Sequence, residues 1–501
     1  MAARAGSLRV RVDVPRVRGD AVEFSWSQDV PNPFQRRNGW QIEYEGVPLG
    51  SFHRAVLWEV FLTLQLPVWA RSADRVEVVL PEPLPRIVTD WWRAYHGAPH
   101  VHFDGPLTDD TTYQPARRAD GSVDIAVSFG GGKDSTLALH ALLETRWPEQ
   151  VLMMHLVHPF SRRVGARRRR TRRARDTVIG PAAEVAGVQS QLVSTDFLSG
   201  LTETGLRWRP HVNLYTAATL PALLHHGVRA VTVSRTAAGY RIDRHAGGGL
   251  RWANPSGRPE RLAALATYHR RVLGIALTAE STHYAIGELV SFGALLRLYP
   301  QAFERIVMCM GTTRRRRWCL GCAKCTEYAL FSLALGYVDS SFDYDTLLAG
   351  SPHIRRLVAT TGVKPGQAAW HGNRPFVGSI GTPSHFATFC HALHRLDLSQ
   401  PGLQVGREAG QHLRALRDAW GNVAFPGVEA IDPAALKVAT PLAREVGLRA
   451  AEAFPLSGAT DGHLLVGDRR AEFAHGEAMA LPHLDKLMSG WEADPVRPVR
   501  G

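Results

Sequence analysis

The stretch Val123-Asp124-Ile125-Ala126-Val127-Ser128-Phe129-Gly130-Gly131-Gly132-Lys133-Asp134-Ser135 decides the fold. Val123 to Phe129 is a short apolar run that ends in glycines, and from Ser135 to Trp147 Leu137, Ala138, Leu142 and their neighbours recur at helical spacing. Three consecutive glycines permit positive φ and close backbone approach, so successive amide N–H groups can face an anion. The helix that follows adds its positive N-terminal end and its free amides. A bare Gly-Gly-Gly is more often a plain turn. Here the strand before it, the helix after it and the Lys133-Asp134-Ser135 ending favour an anion-binding loop, in which Lys133 offers a point charge while Asp134 and Ser135 either cap the helix or reach Mg²⁺ and phosphate oxygens. It is not a Walker P-loop, because the GxxxxGK[ST] spacing is absent.

Outward from this loop the pattern alternates. Val151–Val157, Gln191–Ser194 and Ala230–Ser234 read as strands, and the stretches near Asp176–Val188, Leu214–His226 and Pro259–Val272 read as helices. Strands alternating with helices predict an α/β fold, a doubly wound parallel sheet covered on both faces. Residues 1–118 read as an N-terminal α+β module, with strand-like Arg9–Val14 and Arg75–Leu80 and an aromatic-rich helix near Arg54–Leu66. Residues 119–340 carry the loop and the cysteines, and 341–501 read as helical and irregular.

A chain of 501 residues with 45% hydrophobic and 21% charged residues excludes a disordered protein and a small disulfide scaffold. Its formal net charge of +13 is local. Arg162, Arg163, Arg167–Arg170, Arg172, Arg173 and Arg175 form one cluster and Arg314–Arg317 another, and outside them the charges cancel. Local basicity argues for an anionic ligand more than for a nucleic-acid coat, although the long run by itself is equally well a solvated loop. No apolar run approaches the roughly 18 residues that span a bilayer, so a soluble, cytoplasmic protein with no membrane partner is expected.

Four of the five cysteines crowd into Cys309, Cys319, Cys322 and Cys325, a C-x9-C-x2-C-x2-C pattern. Two short knuckles of thiolates match a closed, structural zinc site, with an iron–sulfur cluster as the rival. Arg314–Arg317 and Lys324 beside it either offset its negative charge or serve a substrate.

The segment Gly130–Ser135 resembles the SGGxDS signature of the PP-loop ATP pyrophosphatases, with Gly130 in place of the first Ser. Together with the cysteine spacing it is similar to 7-cyano-7-deazaguanine synthases. The closer resemblance is to the MurL family, UDP-N-acetylmuramoyl-L-alanyl-L-glutamate epimerases. It rests on Ser128–Ser135, on Trp318-Cys319-Leu320-Gly321-Cys322-Ala323-Lys324-Cys325, on Pro210–Thr216 with His211 and Thr216, and on a weaker Pro375–Gly378. Thr236 stands where that family has an acidic residue, and Glu288 falls at another acidic position near a helix start.

This resemblance implies a PP-loop (HUP-like) fold, with ATP and Mg²⁺ at Ser128, Gly130, Gly131, Gly132, Lys133, Asp134 and Ser135. It implies a small peptide or UDP-MurNAc-peptide substrate whose terminal carboxylate is adenylated. Adenylation removes the carboxylate charge that resists α-deprotonation, after which a base inverts the centre. His211, Tyr215, His283 and Glu288 are candidate proton-transfer groups, and Lys133 joins His211 and Glu288 as a candidate catalytic residue. Two rivals stand beside this reading: a PP-loop tRNA- or nucleobase-modifying enzyme, and a protein that binds the nucleotide without turnover.

Overall fold

The computed structural model describes residues 5–110, 112, 123–157, 171–202, 215–234, 242–244, 250–252, 259–309, 317–359, 383–421, 426–431 and 433–456. Its N-terminal part supplies strands β1 (Ala5–Val12), β2 (Arg16–Arg18), β3 (Ala21–Gln28), β4 (Gly39–Tyr44), β5 (Ala73–Val79), β6 (Leu84–Pro85), β7 (Val101–Asp104) and β8 (Leu107–Thr108). Then come β9 (Ile125–Ser128), β10 (Val151–Val157), β11 (Gln189–Thr195), β12 (Ala230–Val233), β13 (Ile242–Arg244), β14 (Leu250–Trp252) and β15 (Thr278–Glu280). The expected strands and helices recur with small shifts. β15, three residues long, was not foreseen.

Eleven strands form one sheet in the order β15-β12-β9-β10-β11-β4-β3-β1-β5-β7, with β2 beside β3. From β15 to β11 every pairing is parallel. In chain order these five strands stand 3-2-1-4-5, the doubly wound arrangement in which the winding reverses between the first strand, β9, and the fourth, β12. The sheet also crosses residue 118, because β11 pairs antiparallel with β4 through Val193↔Tyr44 and Thr195↔Ile42. β6 and β8 pair apart from it, as do β13 and β14.

Burial follows from this layering. In β3, Val22, Phe24 and Trp26 are buried while Glu23 and Ser27 are exposed, the alternation of a strand wet on one face. β9 and β10 are covered on both. Ile125, Val127, Val151 and Met153 enter one core, whereas Ala126, Leu152 and Met154 enter the other. The first core is built with helix Lys133–Leu143, helix Glu288–Leu298, helix Ala323–Ala334 and the C-terminal helices from Tyr344 to Ala450. The second is built with the N-terminal helices Arg54–Trp69 and Arg86–Tyr95 and with helix Pro259–Val272. Among the described residues no helix is long and apolar enough to cross a membrane.

Candidate functional site

The glycine loop leaves the carboxyl end of β9, beside β12 at the reversal of winding, where open α/β sheets place their ligands. Phe129 N–H donates to Met154 O at 2.7 Å, holding the chain to β10 up to the loop. His155 Nδ1 lies 2.5 Å from the Phe129 carbonyl. Gly131 has φ +77°, and a Cβ there would lie 2.4 Å from Val178 Cγ1, so both the backbone angle and the neighbour require glycine. The Gly131 carbonyl accepts from Val307 N–H at 2.6 Å. Ser135 Oγ accepts from Gly130 N–H and donates to Gly132 O, both at 3.2 Å. The helix Lys133–Leu143 starts after Gly132 with no side-chain cap. Its first-turn amides therefore lack intrahelical acceptors and keep the positive end of the helix open.

Lys133 points inward. Only 2% of its side chain is exposed, and Nζ donates to Asp134 Oδ1 at 2.9 Å, to Asp134 Oδ2 at 3.0 Å and to Glu288 Oε2, with Glu327 Oε1 at 3.8 Å. Burial opposes its charge, but Asp134, Glu288 and Glu327 outweigh burial and hold the ammonium well above the ordinary lysine range. Ser291 Oγ donates to Asp134 Oδ1 at 2.6 Å, and Lys324 Nζ donates to Glu327 Oε2 at 2.7 Å. Three helix starts thus converge through one cluster of two ammoniums and three carboxylates. Removing one partner from such a buried group costs about 3–5 kcal/mol, because a desolvated charge is left behind.

The cysteines close around a point next to this cluster. Their four Sγ atoms lie within 4.8 Å of one another. Cys319 and Cys325 are 3.8 Å apart and Cys322 and Cys325 3.6 Å. Thiolates at ~2.3 Å around a tetrahedral metal would be about 3.8 Å apart, so the donor set fits such an ion. Cys319 N–H donates to Cys309 Sγ at 3.1 Å, and Leu320 adopts φ 53° to turn the knuckle. Cys322 begins helix Ala323–Ala334, which carries Lys324 and Glu327 to the lysine cluster. Trp318 packs on Tyr328 at 4.2 Å. Cys390, the fifth cysteine, lies apart in helix Pro383–Arg395, its thiol pushed up to about 12 by burial.

The sequence-predicted residues divide accordingly. Ser128, the glycines, Lys133, Asp134, Ser135 and Glu288 come together, and His283 lies beside them. Tyr215 packs half-buried against the second core. His211, Thr236, Arg162–Arg170, Arg314–Arg316 and Pro375–Gly378 lie outside the described residues. Of the basic clusters, Arg175 pairs with Glu45 at 2.5 Å, and Arg317 donates to the Ile306 and Phe303 carbonyls at 3.2 and 3.3 Å. These two arginines serve the fold. Ser291 and Glu327 were missed, although Ser291 lies three residues after Glu288 and Glu327 three residues after Lys324, spacings that bring each pair to one helix face.

No protein-family model matches the chain, and no curated protein matches it.

Proposed function

We propose that the chain is an ATP-dependent enzyme of the PP-loop type, which adenylates a terminal carboxylate of a peptide or peptidyl-nucleotide and epimerises the residue that bears it. One observation carries this reading: a glycine loop at the reversal point of a doubly wound sheet opens a helix whose Lys133 ties Asp134 to Glu288.

Backbone amides from Gly131 onward and the helix start would receive the phosphates. Lys133 keeps Asp134 and Glu288 in place, acting as an internal clamp on the loop. The Asp134 side chain is 25% exposed, so it is the carboxylate available to a magnesium ion travelling with ATP. Transfer of the substrate carboxylate to the α-phosphorus releases pyrophosphate. The acyl-adenylate then loses its α-proton more readily, because the carboxylate charge is gone. Water finally releases AMP. The four cysteines would hold zinc in a closed set that leaves no position for a substrate, a structural role.

The test is incubation with ATP and dipeptides ending in glutamate, in D₂O. AMP, pyrophosphate and α-deuterium appearing together are expected. ATP left intact with every peptide and with UDP-MurNAc-peptide would overturn the reading.

A further inference from the structure

We propose that His283 Nε2 is the proton acceptor for the substrate's α-carbon, with Thr282 as the residue that sets its tautomer; this rests on the adenylating reading above. His283 follows β15 by three residues, at the same end of the sheet as the glycine loop. The ring is completely buried.

The hydrogen bonds assign its proton. Thr282 Oγ1 donates to Ser234 Oγ at 3.3 Å, and a hydroxyl has a single hydrogen to give. With the Thr282 hydrogen directed to Ser234, His283 Nδ1, 3.0 Å from the same Thr282 oxygen, is assigned as the donor in that pair. This assignment puts the proton on Nδ1 and leaves the lone pair on Nε2. That atom is buried and has no hydrogen-bond partner among the described residues. A neutral imidazole with its lone pair directed away from its anchor can accept a proton.

The surrounding charges agree. Burial is the largest influence and, with Lys133, lowers the His283 pKa to about 4; Asp134 and Glu288 pull the other way. The ring is consequently neutral near pH 7. Once protonated, it would face Asp134 from the glycine-loop helix and Glu288 from the next, which moderate the new charge. Glu288 itself is a poorer acceptor, because its Oε2 already receives Lys133 Nζ.

In the step, the α C–H bond breaks and its proton passes to Nε2, while the electron pair delocalises into the acyl-adenylate carbonyl. A proton from water adds to the opposite face. His283 then returns its proton to water, so one solvent hydrogen enters the product at each inversion.

Two readouts separate this proposal from the reading beneath it. In D₂O with ATP and L-alanyl-L-glutamate, the His283→Gln protein should form AMP within a few-fold of wild type, while α-deuterium falls by about 100-fold or more. Deuterium incorporation at the wild-type rate would overturn the proposal while leaving adenylation intact. Wild-type protein that forms no AMP would overturn both. Thr282→Val should reduce deuterium incorporation and spare AMP, with Thr282→Ser restoring it; an unaffected Thr282→Val would remove Thr282 from the role. If His283→Gln does not fold, the ¹⁵N histidine spectrum of the wild-type protein still decides, since a pyridine-type Nε2 is expected from pH 6 to 8 and an Nε2–H resonance would overturn the assignment.

Discussion

The glycine loop and the cysteine knuckle are two versions of one device, a tight turn with a positive φ that opens a helix without a side-chain cap. Gly131 at φ +77° precedes helix Lys133–Leu143, and Leu320 at φ 53° precedes helix Ala323–Ala334. Glycine takes the left-handed region freely, whereas a leucine there gives up roughly 1–2 kcal/mol. The glycine turn is shaped by neighbours that are always present, Val178 and the Val307 amide. The leucine turn is shaped by four sulfurs that lie within 4.8 Å of one another and could hold an ion. Their difference teaches that the glycine loop is fixed by packing, while the knuckle beside it is fixed around a set of four sulfurs that could hold a metal ion. The two meet at Glu327, which lies against both Lys324 and Lys133.

The largest break in this comparison should come from the cysteine side. Cys322→Ser removes one of four ligands, and apparent metal-binding energies of about 10 kcal/mol or more at such sites become folding energy. We expect loss of one bound metal equivalent, read by elemental analysis, together with a substantial fall in melting temperature. An unchanged melting temperature with the metal gone would show that the knuckle is not a strut. Gly131→Ala comes next. Its Cβ would meet Val178 Cγ1 at 2.4 Å, so overpacking of about 1–3 kcal/mol adds to the left-handed penalty of roughly 1–2 kcal/mol. Pairing it with Val178→Ala should recover the steric part alone, by denaturant unfolding. Full recovery, or none, would contradict a site constrained by both angle and neighbour.

Local signals explain what was legible in the sequence. An apolar run ending in glycines marked β9, an apolar run between prolines marked β10, and the loop chemistry marked Lys133, Asp134 and Ser135, because those features lie within a few residues of one another. β15 escaped because Thr278-Ala279-Glu280 carries one apolar residue, and Glu280 is buried only by accepting from Leu442 N–H, 162 residues away. The inward turn of Lys133 was invisible for a similar reason. Its partners Glu288 and Glu327 come from helices more than 150 residues downstream, and the convergence of three helix starts supplies the carboxylates that offset its buried charge. The continuity of the sheet into the first hundred residues depends likewise on β11 pairing with β4, a contact without a local sequence signature.

The smallest effect should come from Gly130, the position at which the loop departs from the SGGxDS signature. A Cβ built at Gly130 meets nothing within 4 Å, and its φ is not in the left-handed region, so neither constraint that fixes Gly131 applies. Gly130→Ser should therefore change stability by less than about 0.5 kcal/mol, as surface substitutions usually do. It also leaves the Gly130 amide in place to donate to Ser135 Oγ. Within three adjacent glycines, one is then required and another permissive, and the pair can be separated by unfolding midpoints in a single experiment. A Gly130→Ser protein destabilised as much as Gly131→Ala would mean that the whole loop, rather than its central residue, is held by packing.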